Sequence, residues 1–156
     1  MTWVETLLAF VAGNPAVTYG AIFLAMFIEG EAVILLSSIV AWQGYLRWDL
    51  LAAVLLLGAY TGNLLWYAAG RYTQGTRIGT WVKGRASRIT GWIDRIVLDR
   101  YPSFAILSKF LYGTNHATLF LVGWNRYPLK KFLLINLYAN VIWVSTILIS
   151  GFFLGF

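Results

Sequence analysis

At 156 residues, 60% hydrophobic and 12% charged, with a mean hydropathy of +0.70, the chain is far more apolar than a soluble domain, which averages about 45–50% apolar and about 25% charged residues. One small core cannot hide such a surplus, so lipid must be the solvent, and the length allows one membrane domain, 1–156, with no soluble domain added. The net charge of +6 is concentrated in Arg71, Arg77, Lys83, Arg85, Arg88, Arg95 and Arg100, opposed there only by Asp94 and Asp99, which is the layout of a cytoplasmic loop resting on anionic headgroups and argues against nucleic acid as a partner.

Residues 3–12 are a short apolar run closed by the turn signal Gly13-Asn14-Pro15. Residues 1–15 are therefore expected as an interfacial helix. No basic residue precedes Arg47, so the positive region of a secretory signal is missing and this run is expected to stay in the mature protein. Residues 16–70 read as a first hairpin and span. The stretch 16–46 is apolar apart from Glu29, Glu31 and small polar groups, and 49–70 is a continuous apolar run of the length that crosses a bilayer, about 20 residues. The legs flanking Glu29-Gly30-Glu31 would each be about 18–20 Å long as helix, short of the ~30 Å hydrocarbon core. A re-entrant hairpin with its polar tip in protein or water accounts for this. One long tilted helix with its charges on a protected face is the alternative.

Residues 71–102 form the basic connector. Within it Ile89, Trp92, Ile93, Ile96 and Val97 repeat with helical spacing, while Arg88, Asp94, Arg95, Asp99 and Arg100 fall elsewhere on the wheel; this predicts an amphipathic helix at the cytoplasmic interface. Residues 103–156 are the second hairpin and span, with Lys109, Asn115 and His116 inside 103–125, the tip at Tyr112-Gly113-Thr114-Asn115, and an apolar run over 132–155. Gly58 and Gly62 make a small-xxx-small face suited to close helix packing.

The two halves share a pattern. Gly44-Tyr45-Leu46-Arg47-Trp48-Asp49-Leu50 matches Gly123-Trp124-Asn125-Arg126-Tyr127-Pro128-Leu129 as Gly-x-x-Arg-aromatic-x-Leu, and Gly62-Asn63-Leu64-Leu65-Trp66 parallels Ala139-Asn140-Val141-Ile142-Trp143. If the connector is cytoplasmic, together with Arg126, Lys130 and Lys131, the halves must be inverted, as in many transporters with midplane sites. The expected fold class is all-α integral membrane: two inverted repeats, each a re-entrant helical hairpin plus a transmembrane helix, joined by the amphipathic connector.

Charged groups at the bilayer centre cost about 2.5–3.5 kcal/mol even on lenient scales. Glu29, Glu31 and Lys109 are thus expected to face protein or a wet cavity. One acid meeting Lys109 across the hairpin tips and the other taking up a proton would suit a transporter coupled to a proton gradient; a structural brace is the plainer role. Asn63, Asn140, Asn115 and His116 are candidate site residues, although amides inside membranes commonly tie helices together. The absence of cysteine and the single histidine, His116, exclude thiol chemistry and a clustered histidine metal site. Ser37 and Ser38 lack a neighbouring base, so no nucleophile, catalytic residue, cofactor or metal is expected and the chain does not read as an enzyme.

These motifs resemble the DedA family, membrane proteins with the VTT (SNARE-associated) domain, over roughly residues 20–145. Phe27-Ile28-Glu29 is similar to the family's Phe-x-Glu; Gly62, Asn63, Tyr67, Gly70 and Arg71 to its Gly-Asp-x-x-x-Tyr-x-x-Gly-Arg; and Ser108 to Asn115 to its Gly-Arg-Phe-x-Pro-Gly-x-Arg hairpin. Gly123, Arg126, Pro128, Lys130, Lys131, Phe132 and Trp143 also stand in family-like places. The chain is a divergent member on this reading: the aspartate is Asn63, the two arginines are Lys109 and Asn115, Leu36-Ser37 replaces an acid, and the hairpin prolines are missing. The resemblance implies a multi-pass protein of the bacterial inner membrane that moves undecaprenyl phosphate or another anionic phospholipid, with dependence on protons. The resemblance implies that Glu29 and Lys109 keep functional positions; with Glu31, Asn63, Asn115, His116 and Arg126 they make up the candidate substrate- or ion-binding set, with membrane lipids as partners and a homo-oligomer compatible with it. The alternative is a non-transporting scaffold or lipid-binding assembly protein.

Overall fold

The architecture comes from a computed structural model, which describes residues 3–90, 93–111 and 113–154. Among the described residues the chain is helical throughout: α1 Trp3–Gly13, α2 Pro15–Ala25, α3 Gly30–Trp42, α4 Trp48–Tyr72, α5 Arg77–Thr90, α6 Ile93–Phe110, α7 Thr114–Trp124 and α8 Leu129–Leu154. Among the described residues only α4 (25 residues) and α8 (26 residues) are long and apolar enough to cross a bilayer. At 1.5 Å per residue they reach about 37–39 Å, whereas α2, α3 and α7 reach about 16–20 Å. Contacts divide the chain into two compact units, Met1–Ala59 with Val144–Phe156, and Tyr60–Trp143.

In the first unit the apolar block breaks where the two acids stand. Pro15 opens α2, its missing N–H falling where a helix has no partner for it. Around Ala25 the backbone tightens through Phe27 N–H to Leu24 O (3.1 Å) and Ile28 N–H to Ala25 O (3.0 Å), and Glu29 is extended (φ −148°, ψ 100°) before α3 begins. Helices α2 and α3 face each other across an apolar cavity of about 290 Å³, lined among others by Thr18, Ala25, Val33, Ser37 and Val40. Its hydroxyls turn back on their own helices, Thr18 Oγ1 donating to Asn14 O (3.0 Å) and Ser37 Oγ to Val33 O (2.6 Å). Gly58 lies against Met26, and Gly151 leaves room for the Ser38 hydroxyl. The Gly58 contact is thus one half of the expected small-residue face. At the start of α4, Arg47 grips Asp49 through two bonds of 3.2 and 2.7 Å; the pair is exposed and contributes little.

The second unit is built around α7. Every residue from Ala117 to Gly123 is buried, so the helix is covered on all sides. Helices α5 and α6 pack on it, and α4 crosses it so closely that a Cβ on Gly70 would run into the Phe120 carbonyl and one on Gly123 into the Tyr67 carbonyl. The basic connector is therefore more than a surface strap: Val82 and Ala86 of α5 pack with Ala117, Phe120 and Leu121 of α7. Thr76 caps α5 by accepting the Gly79 N–H at 3.0 Å. Of the predicted amphipathic pattern, Ile89 falls on the end of α5 and Ile93, Ile96 and Val97 on the start of α6, while Trp92 and the side chains of the pattern lie outside the described set. Helix α6 is kinked at Arg100 (φ −123°, ψ 24°), two residues before Pro102, whose ring has no N–H and clashes with the preceding turn.

The ends of α3 and α7 revise the repeat. Both helices close with the same pair of bonds: Gly44 N–H to Ala41 O and Tyr45 N–H to Val40 O in one, Arg126 N–H to Gly123 O and Tyr127 N–H to Val122 O in the other. The left-handed residue is Gly44 (φ 85°) in the first and Arg126 (φ 54°) in the second. Gly123, which the sequence match aligns with Gly44, is instead inside α7. The Gly-x-x-Arg match is three residues out of structural register.

Gly70→Ala and Gly123→Ala should each lower the melting temperature in detergent, since overpacking against backbone costs about 1–3 kcal/mol. Gly20→Ala, with nothing within 4 Å of its added carbon, should leave the melting temperature unchanged or raise it.

Candidate functional site

Beyond the kink at Arg100, the last turn of α6 carries Ser108 and Lys109, which are 1% and 4% exposed. The Lys109 ammonium lies over the Trp143 ring, 5.2 Å from its centroid. A desolvated cation over an indole gains about 2 kcal/mol, against a burial penalty of several kcal/mol per ion. The ring offsets only part of that cost. The turn after α6 is held by Thr114, whose hydroxyl hydrogen-bonds Ser108 O (2.9 Å) and Leu111 O (2.7 Å), and by Gly113 at φ 76°.

The amides of α4 and α8 meet. Asn63 Nδ2 donates one proton to Asn136 Oδ1 (2.8 Å) and the other to Asn140 Oδ1 (3.0 Å). Asn115 reaches Asn63 Oδ1 through a long contact of 3.5 Å. Asn136 and Asn140 are one turn apart, so a single amide on α4 clips two consecutive turns of α8. Asn136 is the residue that reading the sequence missed. Its spacing of four from Asn140, placing both on one helix face, was the available signal.

The second repeat match fares better than the first. Asn63-x-x-Trp66 and Asn140-x-x-Trp143 are bonded to each other through their asparagines, and each tryptophan carries a basic side chain from α6 or α7: Trp66 stacks on His116 (centroids 5.1 Å apart, planes at 29°) and Trp143 lies under Lys109. Asn115 is half-buried and His116 exposed. Arg126 is exposed at the end of α7, where its Nε donates to Gln74 Oε1 (2.8 Å) and Gln74 Nε2 donates to Trp124 O (3.1 Å). It fastens the α4–α5 corner to α7 and stands apart from the amide clip in role. A chain of bonds from Arg71 Nη1 to Tyr67 Oη (2.8 Å) and from Tyr67 Oη to Tyr127 O (2.6 Å) braces the same corner, over the stacked rings of Tyr67 and Phe132.

Glu29 and Glu31 belong to the first unit. Both are half-buried, Glu29 at the N-cap position of α3 and Glu31 in its first turn, where the positive end of the helix dipole favours a carboxylate. The second unit thus collects Asn63, Lys109, Asn115, His116 and Asn140 from the expected set and adds Asn136, Trp66 and Trp143. Among the described residues no group of three or more His, Cys, Asp or Glu side chains is arranged to hold a metal.

Among curated proteins the chain is similar to the inner membrane protein YohD of Escherichia coli (strain K12), with 30% identity over 137 residues, covering 86% of this chain and 69% of that protein. The chain belongs to the YohD family. No protein-family profile matches it, and no solved structure matches it. The family assignment and the two long apolar helices together make it a membrane protein.

Asn63→Leu removes both clip bonds and strands two buried carbonyls, so it should cost about 1–3 kcal/mol and lower the melting temperature in detergent. Asn115→Leu, which loses only the long contact, should cost about 0.5 kcal/mol, near the mean for interhelical bonds in membranes. Equal losses would show that the clip is not what holds α4 to α8.

Proposed function

We propose that the chain is a lipid transporter of the bacterial inner membrane, a divergent multi-pass member of the DedA family that moves an anionic lipid by its phosphate headgroup, undecaprenyl phosphate being the leading substrate. The observation that carries the reading is Lys109: a cation 4% exposed, at the end of an apolar helical leg, resting on an indole face. Structure alone does not explain such a residue, because an apolar side chain of the same length would avoid the cost of burying charge. A lysine is a compact charge suited to a phosphate, without the bidentate fork of the family's arginines.

Helices α2–α3 and α6–α7 serve as the two re-entrant hairpins, and α4 and α8 as the spans. In support, α2, α3 and α7 are too short to cross, and α7 is buried among protein, the condition under which a non-spanning helix is tolerated at membrane depth. The paired Asn-x-x-Trp elements support inverted repeats. Glu29 and Glu31, at the start of α3, are the groups that would take up protons during coupling.

A second reading, a scaffold that binds anionic membrane without transport, draws on α5: Ile78 (73% exposed) and Trp81 (65% exposed) stand out from it, with Arg85 over the Trp81 ring at 5.7 Å. Exposed aromatic and basic residues together favour a headgroup layer.

The test is flipping of undecaprenyl phosphate and of a glycerophospholipid in proteoliposomes, with and without a pH gradient. Lys109→Met should abolish flipping while preserving or raising the melting temperature, since apolar replacement of a buried charge is often neutral or stabilising. Glu29→Gln should remove any dependence on the gradient. Wild-type flipping with Lys109→Met, together with damage from charge reversal at Lys83 and Arg85, would replace the transporter reading with the scaffold.

A further inference from the structure

The turn that joins α7 to α8 gathers cations. Lys83 of α5 lies over the Trp124 ring, its ammonium 5.5 Å from the centroid. Arg71, near the end of α4, reaches the Tyr127 carbonyl through the Tyr67 hydroxyl. Arg126 stands between those two aromatic residues, and Lys130 and Lys131 follow in the first turn of α8; all three are exposed. That helix end is the one whose dipole disfavours cations. The second unit holds every lysine and arginine of the chain except Arg47, and its acids are only Asp94 and Asp99. Among the described side chains of this unit none is a carboxylate.

Arg126 is held in the turn at a cost. It takes the left-handed position that closes α7 (φ 54°), where the same pair of closing bonds in the first unit falls to Gly44. Glycine adopts that conformation freely and a residue with a Cβ does not, and an outlier of this kind points to function. The guanidinium is fixed as well. Its Nε donates to Gln74 Oε1, and Gln74 Nε2 donates to the Trp124 carbonyl. This amide has one possible orientation, since Arg126 Nε can only donate and the carbonyl can only accept. The Nη1 and Nη2 groups of the exposed side chain carry the parallel donors that grip a phosphate. The first turn of α5 packs on the Trp124 ring through Gly79, and from α5 Ile78 and Trp81 stand out into the surroundings, as in a segment at the headgroup layer.

We infer that the turn 124–127 is a headgroup site for an anionic phospholipid of the surrounding leaflet, with Arg126 gripping the phosphate and Lys83, Lys130 and Lys131 supplying charge. The lipid is a resident ligand of the protein surface, separate from the one that Lys109 would handle. The site stands whether the chain transports lipid or only binds membrane. The phosphate brings the negative charge that the turn lacks, at the depth where anionic headgroups already attract basic segments.

The test is side-chain NMR of the full chain in a non-ionic detergent, ¹⁵N-labelled at arginine and tryptophan. It is titrated with dihexanoylphosphatidylglycerol, dihexanoylphosphatidylcholine and inorganic phosphate. The Arg126 Nε–H signal, assigned by its loss in Arg126→Lys, and the Trp124 indole, assigned by Trp124→Phe, should shift saturably with the phosphatidylglycerol. The Nε–H of Arg47, paired with Asp49, should stay still. Arg126→Gly, read at Trp124, should weaken binding by about tenfold, the loss of a charge-assisted hydrogen bond. Its melting temperature should be unchanged or raised, because the turn gains the residue its backbone prefers. Lys130→Gln should weaken binding by about fivefold with Arg126 in place. An equal response to phosphatidylcholine, a response to inorganic phosphate alone, or undiminished binding by both variants overturns the site. The same shifts in Lys109→Met show that it is separate from the proposed transport site; their loss there would merge the two and overturn a second site. Absence of flipping with these shifts intact would end the transporter reading alone.

Discussion

The Asn63 amide is the interaction on which the second unit turns. One side chain on α4 bonds two asparagines a turn apart on α8, and in doing so sets which carbonyls and which N–H groups of that face are satisfied. A single amide-to-amide bond between membrane helices has a modest strength of about 0.6 kcal/mol. Its structural consequence is larger than that figure, because one side chain ties two consecutive turns of α8 at once. In the DedA resemblance this position is an aspartate, which has no protons to give in that way. The asparagine ties α4 to α8.

Close packing makes that arrangement possible. Gly70 and Gly123 allow α4 and α7 to approach until backbone meets backbone, which buries α7 on every side and leaves α6 to bring Lys109 over Trp143. Arg126, Gln74, Tyr67 and Arg71 hold the corner where α4, α5 and α7 come together. The unit therefore combines an apolar helix buried along Ala117 to Gly123 with an amide cluster that joins α4 to α8. The first unit is of another kind. Its α2–α3 turn is apolar apart from two carboxylates placed where a helix N-terminus favours them, and its cavity has polar hydroxyls turned away from it.

A good part of this was legible in the residues. Length, hydropathy and the distribution of arginines were enough to identify lipid as solvent, and the distance between polar breaks pointed to short helical legs, in line with the 11, 13 and 11 residues of α2, α3 and α7. Lys109 could be singled out because a charge in an apolar run is costly wherever it ends up. The parallel between Asn63-x-x-Trp66 and Asn140-x-x-Trp143 was visible and is matched by a direct bond between the two asparagines. The Gly44 and Gly123 parallel was equally visible, yet joins a helix end to a helix interior. Short glycine motifs carry no information on which of a glycine's two uses, a left-handed turn or a close approach, is in play.

Composition, element type and the positions of the costly charges were thus determined by the sequence alone, since they follow from solvent preference and helical rise. Tertiary structure decided what those charges and amides face. The partner of Lys109 is an indole 34 positions along the chain, Asn136 gains its importance only from a residue on α4, and the connector helix becomes part of a core because α7 needs covering. Such contacts depend on helix crossings, and a crossing is set jointly by two surfaces, neither of which is written in any one stretch of the chain.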